Sequence, residues 1–271
     1  MTRTALLPDA RVWSELWDRL AAASCRALLL DFDGTLAPFS VDRDAPTLGP
    51  RVRELLAAIT ARGATALAVV SGRRLAEVEQ RFDGIEAHLI GEHGWEERLP
   101  GGALRRHLPS PRASALLDAA AASLGARLPP RCLEVKRTAI VVHARGETPE
   151  RVAVFAREIE LCQRPLRHHA ELDLREIDGG WELRARGHDK GTSVGAVVDR
   201  LGGRNFAVYV GDDETDEDAF GAVAPFGFGV RVGVGDRPTR ARARLPDVPA
   251  VEEFLTLWAE RFAPPPAESR R

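Results

Sequence analysis

The chain of 271 residues predicts an α/β protein: a doubly wound parallel sheet with an α+β unit inserted into it. Two observations carry this expectation. Short apolar runs, Ala27-Leu-Leu-Leu30, Ala66-Leu-Ala-Val-Val70 and Phe206-Ala-Val-Tyr-Val210, alternate with helical stretches, as strands buried on both faces of a parallel sheet require. In the middle of the chain that alternation gives way to helix, two paired strands, helix, two paired strands, and then resumes.

Taken in order, residues 9–22 read as a helix with Asp9 as N-cap and Val12, Leu16 and Leu20 on one face. A buried strand at 26–31 follows, then a loop rich in Pro and Asp. Pro50 opens a helix that stops at Gly63. The strand 66–70 ends in Ser71-Gly-Arg73. Helix 74–82 leads to a strand near 87–90 and to Glu92-His-Gly94. A hairpin is expected between Trp95 and Leu108. The insertion then comprises helix 110–126, strands 133–136 and 139–143, helix 148–162, a strand near 171–177, the turn Asp178-Gly-Gly180 and the strand 181–184. A helix from Lys190 to about Leu201, the strand 206–210, a short helix near Thr215, a strand near 227–232 and a helix from about Val251 return the chain to its first pattern. Ala263–Arg271 reads as a disordered tail. The expected division is residues 1–107 and 184–271 for the core and 108–183 for the insertion.

Composition narrows the function. A formal net charge of −2 points to neither nucleic acid nor membrane as partner. There is no apolar stretch long enough to span a bilayer and no basic leader, and the three scattered cysteines suit a reducing compartment, so a cytoplasmic protein is expected. Among 38 basic residues, Lys136 and Lys190 are the only lysines. Since Arg does not replace a compact ammonium charge, both are candidates for a specific role.

Chemistry-bearing residues fall at strand ends, where open α/β sheets bind ligands. Asp31-Phe-Asp33-Gly34 ends the first strand, and by itself suits either a metal-plus-nucleophile site or a solvated acidic turn. It is no calcium loop, because Leu36 stands where an EF-hand needs glycine. Six of the seven residues from Asp212 to Asp218 are acidic. A helix dipole accounts for Asp216, Glu217 and Asp218. It leaves Asp212 and Asp213 as oxygen ligands suited to Mg²⁺. Lys190 at a helix N-terminus is disfavoured unless an anion sits nearby. Ser71 can donate to a phosphate oxygen or cap the next helix. Together these groups make a set for phosphoryl transfer through an aspartyl-phosphate.

Asp31-Phe-Asp-Gly-Thr-Leu36, Ser71-Gly-Arg73, Lys190-Gly191 and Gly211-Asp-Asp-Glu-Thr-Asp-Glu-Asp-Ala-Phe220 resemble the four motifs of haloacid dehalogenase (HAD)-superfamily phosphatases. With Glu92-His-Gly94, Glu134-Val-Lys136, His143-Ala-Arg145 and Glu182-Leu-Arg184, the chain is similar to trehalose-6-phosphate phosphatases, over roughly residues 26–255. Ala185 departs from the pattern, which commonly has proline there. The resemblance implies a Rossmann-like HAD core with a cap. Asp31 would be the nucleophile, Asp33 the acid and base, and Ser71 and Lys190 the phosphoryl clamp. Mg²⁺ would sit on Asp31, the main chain of Asp33, and Asp212, with Asp213 and Asp216 nearby. It further implies substrate contacts from Thr35, Arg73, Glu92, His93, Lys136, His143, Arg145 and Glu182. Lys136, His143 and Arg145 equally fit the exposed face of a strand pair. The expected reaction is hydrolysis of trehalose 6-phosphate by a monomer working alongside the synthase of that pathway. The alternatives are another sugar phosphate, such as sucrose 6-phosphate or mannosyl-3-phosphoglycerate, or a non-enzymatic phospho-receiver or sugar-phosphate sensor.

Overall fold

The structure, a computed structural model, describes residues 10–42, 44–63, 65–164, 169–177, 179–202 and 205–263. The expected cap Asp9, Asp178 of the expected turn, and the tail beyond 263 lie outside the described residues. In chain order the elements are α1 (Ala10–Ala22), β1 (Cys25–Leu30), α2 (Pro50–Thr60), β2 (Ala66–Val70), α3 (Leu75–Arg81), β3 (His88–Gly91), β4 (Glu96–Arg98) and β5 (Leu104–Arg106). Then follow α4 (Pro111–Gly125), β6 (Leu133–Val135), β7 (Ala139–His143), α5 (Pro149–Gln163), β8 (Leu172–Ile177) and β9 (Gly180–Ala185). The chain closes with α6 (Lys190–Leu201), β10 (Asn205–Gly211), α7 (Asp216–Val223), β11 (Gly227–Val232), β12 (Ala243–Leu245) and α8 (Val248–Phe262). Two compact units result, one from the residues up to Arg105 and from Lys190 onward, the other from Arg106 to Asp189.

In the first unit the strand order is β12-β11-β10-β1-β2-β3-β4-β5. The pairs from β12 through β3 are parallel, and β4 runs antiparallel to β3 as the first arm of the expected hairpin. The chain winds from β1 to β2 and β3 on one side and later to β10 and β11 on the other. The topological switch therefore falls at β1, where such sheets place their ligands. Both faces of β1 are covered, which is why its sequence is continuously apolar: Leu28 and Leu30 join a cluster with α1, α2, α3 and α8, while Ala27 and Leu29 join one with α6 and α7. Helix α1 buries Trp13, Leu16 and Leu20, with Val12 only partly covered. Its indole rings pack on Phe254 of α8. Trp258 is fully buried and its indole N–H donates to Thr65 Oγ1 at 3.1 Å, so the largest apolar side chain of this layer has its one polar atom satisfied.

Two features depart from the expected elements. Helix α8 begins three residues early because Asp247 caps it, accepting from the Ala250 N–H at 3.0 Å, with Pro249 in the first turn. Strand β12 is not anticipated at all: Arg242-Ala-Arg244 has the pattern of a polar loop, and a short basic edge strand reads that way. Cys132 and Cys162 are buried free thiols, and Cys25 is half-buried. Among the described residues no helix is long and apolar enough to cross a membrane.

The second unit is a four-stranded antiparallel sheet in the order β6-β7-β9-β8. Strand β9 runs to Ala185, so this sheet includes Arg184, where the sequence suggests the return to the core. One face, with Ile140, Val142, Trp181, Leu183 and Leu174, packs with Leu124 of α4 and Ile159 of α5. The registers Glu134↔Val141, Val141↔Glu182 and Arg175↔Glu182 put Glu134, Arg175 and Glu182 in rows on the opposite face.

Candidate active site

The first unit gathers its acids at the carboxyl end of β1. The Asp31 N–H donates to Val210 O at 2.9 Å, extending the parallel ladder one residue beyond the strand and fixing where its side chain emerges. Asp31 is 4% exposed and its Oδ1 accepts Lys190 Nζ at 2.9 Å. Lys190, the first residue of α6, also donates to Asp216 Oδ1 at 2.7 Å. These two carboxylates supply the negative charge that its place at a helix N-terminus demands. The Thr35 hydroxyl donates to Asp212 Oδ1 at 3.3 Å. Oxygens of Asp31, Asp212 and Asp216 lie within 4.8 Å of one another.

Between Asp31 and the body of the loop the backbone turns sharply. Phe32 O accepts the N–H groups of Leu36 and Ala37, and Gly34, at φ +80°, donates to Ala37 O at 2.8 Å. A Cβ on Gly34 would collide with the Asp212 carboxylate and the Phe39 ring, so glycine is required both by conformation and by space. This turn delivers Asp33 to Arg73, whose Nε and Nη2 donate to its two oxygens, each at 2.7 Å. Ser71, 1% exposed, accepts the Arg73 N–H on its hydroxyl at 3.2 Å. Next to it, Glu92 (φ 47°) and His93 (φ 56°) are consecutive non-glycine residues in the left-handed region, both buried. Glu92 N–H donates to Arg73 O, His93 N–H donates to Ser71 O, and the Ser193 hydroxyl of α6 donates to His93 O. That strained turn ties the ends of β2 and β3 to α6, the kind of over-determined backbone found at functional sites.

Burial raises Asp31 to about 7, with Asp216 and Asp33 adding to it and Lys190 opposing. Burial likewise raises Asp212 to about 9, reinforced by Asp31 and Asp216. Burial works against the Lys190 charge, but Asp216 and Asp31 outweigh it and shift the ammonium upward. Burial, then Asp216, pushes the Tyr209 phenol well up, so it is a hydrogen-bond donor throughout the accessible range. The cluster thus holds more carboxylate than one lysine neutralises, an excess that a hard divalent cation would answer. In the unfolded chain both aspartates would ionise near 4. Their folded values lie higher, so their favourable contribution to folding is present at low pH and lost as pH rises through about 7 and about 9. A cation that replaces the protons recovers it. The Tm gain on adding Mg²⁺, read by calorimetry, is therefore expected to be larger near about pH 8.5 than near about pH 6. Equal gains would count against a cation among these acids.

In the second unit, Lys136 Nζ lies 3.7 Å from Glu182 Oε1 and 3.9 Å from Glu134 Oε1, and His143 Nε2 is 3.1 Å from Glu134 Oε2. The side chains of Lys136, Glu134 and Glu182 are all buried, at 7%, 9% and 3% exposure, so the alternative of a merely solvated strand face fails for Lys136. Arg145 lies along Gly179 (φ +81°), where a Cβ would come 2.8 Å from its Nε.

The predicted residues therefore sort by unit. Asp31, Asp33, Thr35, Ser71, Arg73, Glu92, His93, Lys190, Asp212 and Asp213 belong to the first, and Lys136, His143, Arg145 and Glu182 to the second. Asp216 stands in the first turn of α7 as expected and does more than complement the helix dipole: it is fully buried and accepts from Lys190, from the Tyr209 hydroxyl at 2.5 Å, and from the N–H groups of Asp212 and Asp213 at 3.0 and 2.9 Å. Gly211 leaves it room, since a Cβ there would strike the carboxylate. Asp213 turns instead toward Arg237, 3.9 Å away, while Arg237 Nη2 donates to Asp212 O at 3.1 Å. Sequence reading passed over Tyr209 and Arg237. The available signal for the first was a lone tyrosine in an otherwise apolar strand.

An aspartate pair at the first strand end, a lysine facing it, and acids after β10 define a phosphatase core of the HAD type, and the fold agrees. It matches a phosphatase of the haloalkanoate (HAD) superfamily from Bacteroides thetaiotaomicron with a TM-score of 0.62, 16% identity, and coverage of 94% of this chain and 98% of that one. The C-terminal domain of Candida albicans trehalose-6-phosphate phosphatase matches with a TM-score of 0.79, 22% identity, and coverage of 96% and 99%. A Mycobacterium tuberculosis trehalose-phosphate phosphatase is 35% identical over 277 residues, spanning 97% of this chain and 68% of its own length. The trehalose-phosphatase family model matches residues 29–249, and the chain belongs to that family.

Proposed function

We propose that the chain hydrolyses trehalose 6-phosphate to trehalose and inorganic phosphate. The observation that carries this reading is the buried Asp31–Lys190–Asp216 arrangement at the end of β1, in a chain of the trehalose-phosphatase family. A carboxylate oxygen of Asp31 attacks phosphorus and displaces the sugar oxygen, giving an aspartyl-phosphate. Asp33 protonates that leaving oxygen, then takes a proton from the water that hydrolyses the acyl phosphate and regenerates Asp31. Ser71 and Lys190 hold the phosphoryl oxygens, and Arg73 orients Asp33 through its two-pronged pair. The donor set fits Mg²⁺: hard carboxylate oxygens of Asp31 and Asp212, with the main chain of Asp33 and Asp213 close in sequence. When bound, the ion would neutralise charge building on the phosphoryl group. Thr35, Glu92 and His93 border this centre. The inserted unit serves as the cap, with Lys136, His143, Arg145 and Glu182 binding sugar hydroxyls. The expected setting is the cytoplasm, as a monomer supplied by the synthase of the pathway.

Phosphate release measured across trehalose 6-phosphate, sucrose 6-phosphate, mannosyl-3-phosphoglycerate and a simple aryl phosphate tests the substrate. A clear preference for a non-trehalose ester overturns it. Lys136→Ala tests the cap: loss of a buried charged contact is expected to raise KM for the sugar phosphate roughly tenfold or more. Turnover of the aryl phosphate should change far less. Equal losses on both substrates would make Lys136 a purely structural partner of Glu134 and Glu182.

A further inference from the structure

A carboxylate offers about four acceptor positions, two on each oxygen. In Asp216 all four are taken: Oδ1 by Lys190 Nζ at 2.7 Å and the Tyr209 hydroxyl at 2.5 Å, Oδ2 by the N–H groups of Asp212 and Asp213. Two of these donors belong to the loop that carries the acids after β10, and a third is the lysine that also binds Asp31. Asp31 and Asp212 are less heavily engaged, accepting from Lys190 and from the Thr35 hydroxyl at 3.3 Å. Proximity alone would place Asp216 among the ligands of a cation, because its oxygen lies within 4.8 Å of theirs. Its filled acceptors assign it differently.

We propose that Tyr209 is a positioning residue of the phosphoryl-transfer centre: its hydroxyl fills the last acceptor site of Asp216, withholding that carboxylate from the cation and leaving it to aim Lys190 and the Asp212–Asp213 backbone. The inference rests on the functional reading above. Tyr209 is well placed for it. It is fully buried in β10, between two strands of the sheet, and its ring meets Phe220 of α7 edge-on at 5.7 Å. Neither the ring nor the hydroxyl reaches solvent, so the contact to Asp216 is what the hydroxyl is there to make. With one fewer donor on Oδ1, Lys190 would be drawn toward Asp216 and away from Asp31, and Asp216 would gain an open lone pair beside the cation.

Tyr209→Phe removes the hydroxyl and keeps the ring. Three measurements test the proposal: the Mg²⁺ Kd of substrate-free protein by calorimetry, kcat and KM for trehalose 6-phosphate, and Tm. We expect Mg²⁺ to bind at least roughly threefold more tightly, with kcat down roughly tenfold and KM within about twofold. An unchanged or weaker Mg²⁺ affinity overturns the proposal, and a lower Tm alone would then make the hydroxyl a stabilising group only. Because Tyr209 is the chain's single tyrosine, 3-fluorotyrosine labelling gives one fluorine resonance in the otherwise unaltered protein, independent of whether the variant folds. That resonance should shift along the calorimetric Mg²⁺ curve, and a resonance unmoved at saturating Mg²⁺ overturns the proposal as well. A wild-type chain that binds Mg²⁺ but does not turn over trehalose 6-phosphate would sink the functional reading, while tighter binding by Tyr209→Phe would still sustain the role of the hydroxyl.

Discussion

Asp31→Asn is expected to abolish phosphate release, lowering kcat by roughly 10⁴-fold or more, because an amide oxygen is a poor nucleophile. Two of the neighbouring carboxylates are already engaged. Asp216 has its four acceptor sites occupied, and Asp33 is held on both oxygens by Arg73. The same substitution should leave the cation-free protein as stable as the parent, or more so, above about pH 7. Asp31 is buried among carboxylates that push its ionisation up, and an uncharged side chain relieves that repulsion on Asp212. The limit on this gain is Lys190, which keeps Asp216 as partner but loses its charged bond to Asp31. Lost turnover with an undiminished Tm is the signature of a group strained for chemistry. If Asp31→Asn keeps activity within about 100-fold of the parent, the nucleophile has been misassigned.

The legible part of this protein is the part where local sequence and function coincide. A strand buried on both faces must be apolar, so the first polar residue after it marks both the end of the strand and the mouth of the site. Asp31, Ser71 and Asp212 are readable for that reason, and the parallel order of β1, β2, β3 and β10 follows from the same runs. Lys190 stands out because a cation at a helix N-terminus conflicts with the dipole, and conflicts of that kind concentrate at functional sites. What escaped reading depends on tertiary packing. Asp216 sits in a helix first turn, where an acid already has an adequate local explanation, and only the fold shows it buried against Tyr209 and Lys190. Arg73 bonds to Asp33 across 40 residues, a pairing no spacing rule indicates. The strained Glu92–His93 turn is invisible for a related reason: two consecutive non-glycine residues in the left-handed region are uncommon, and the conformation is imposed by hydrogen bonds to Ser71, Arg73 and Ser193. Strand β12 was missed because an edge strand need not be apolar.

Asp33→Asn is expected to lower kcat for trehalose 6-phosphate by roughly 10²–10⁴-fold, the usual worth of a positioned acid–base group. The leaving group is a sugar alcohol, too basic to depart without a proton, and water is a weak nucleophile toward the aspartyl-phosphate, so both halves of the reaction need Asp33. The structure adds a condition. Arg73 takes one acceptor position on each Asp33 oxygen at 2.7 Å, so the proton must pass through a remaining position, with Glu77 3.7 Å from Arg73 to share its charge. The same neighbour should keep the loss of stability in Asp33→Asn small, since Asp33 is itself about a quarter exposed. Substrate choice separates the two proton transfers. An aryl phosphate with an acidic phenol leaves without help, so Asp31 should still be phosphorylated, while hydrolysis of the acyl phosphate lacks its base. A rapid-quench experiment on the variant is expected to show a burst of about one phenol per enzyme, followed by slow turnover. Steady turnover at the parent rate with no burst would mean that Asp33 handles neither proton. A slowed first step on the aryl ester would instead move its role from proton transfer to the orientation of Asp31.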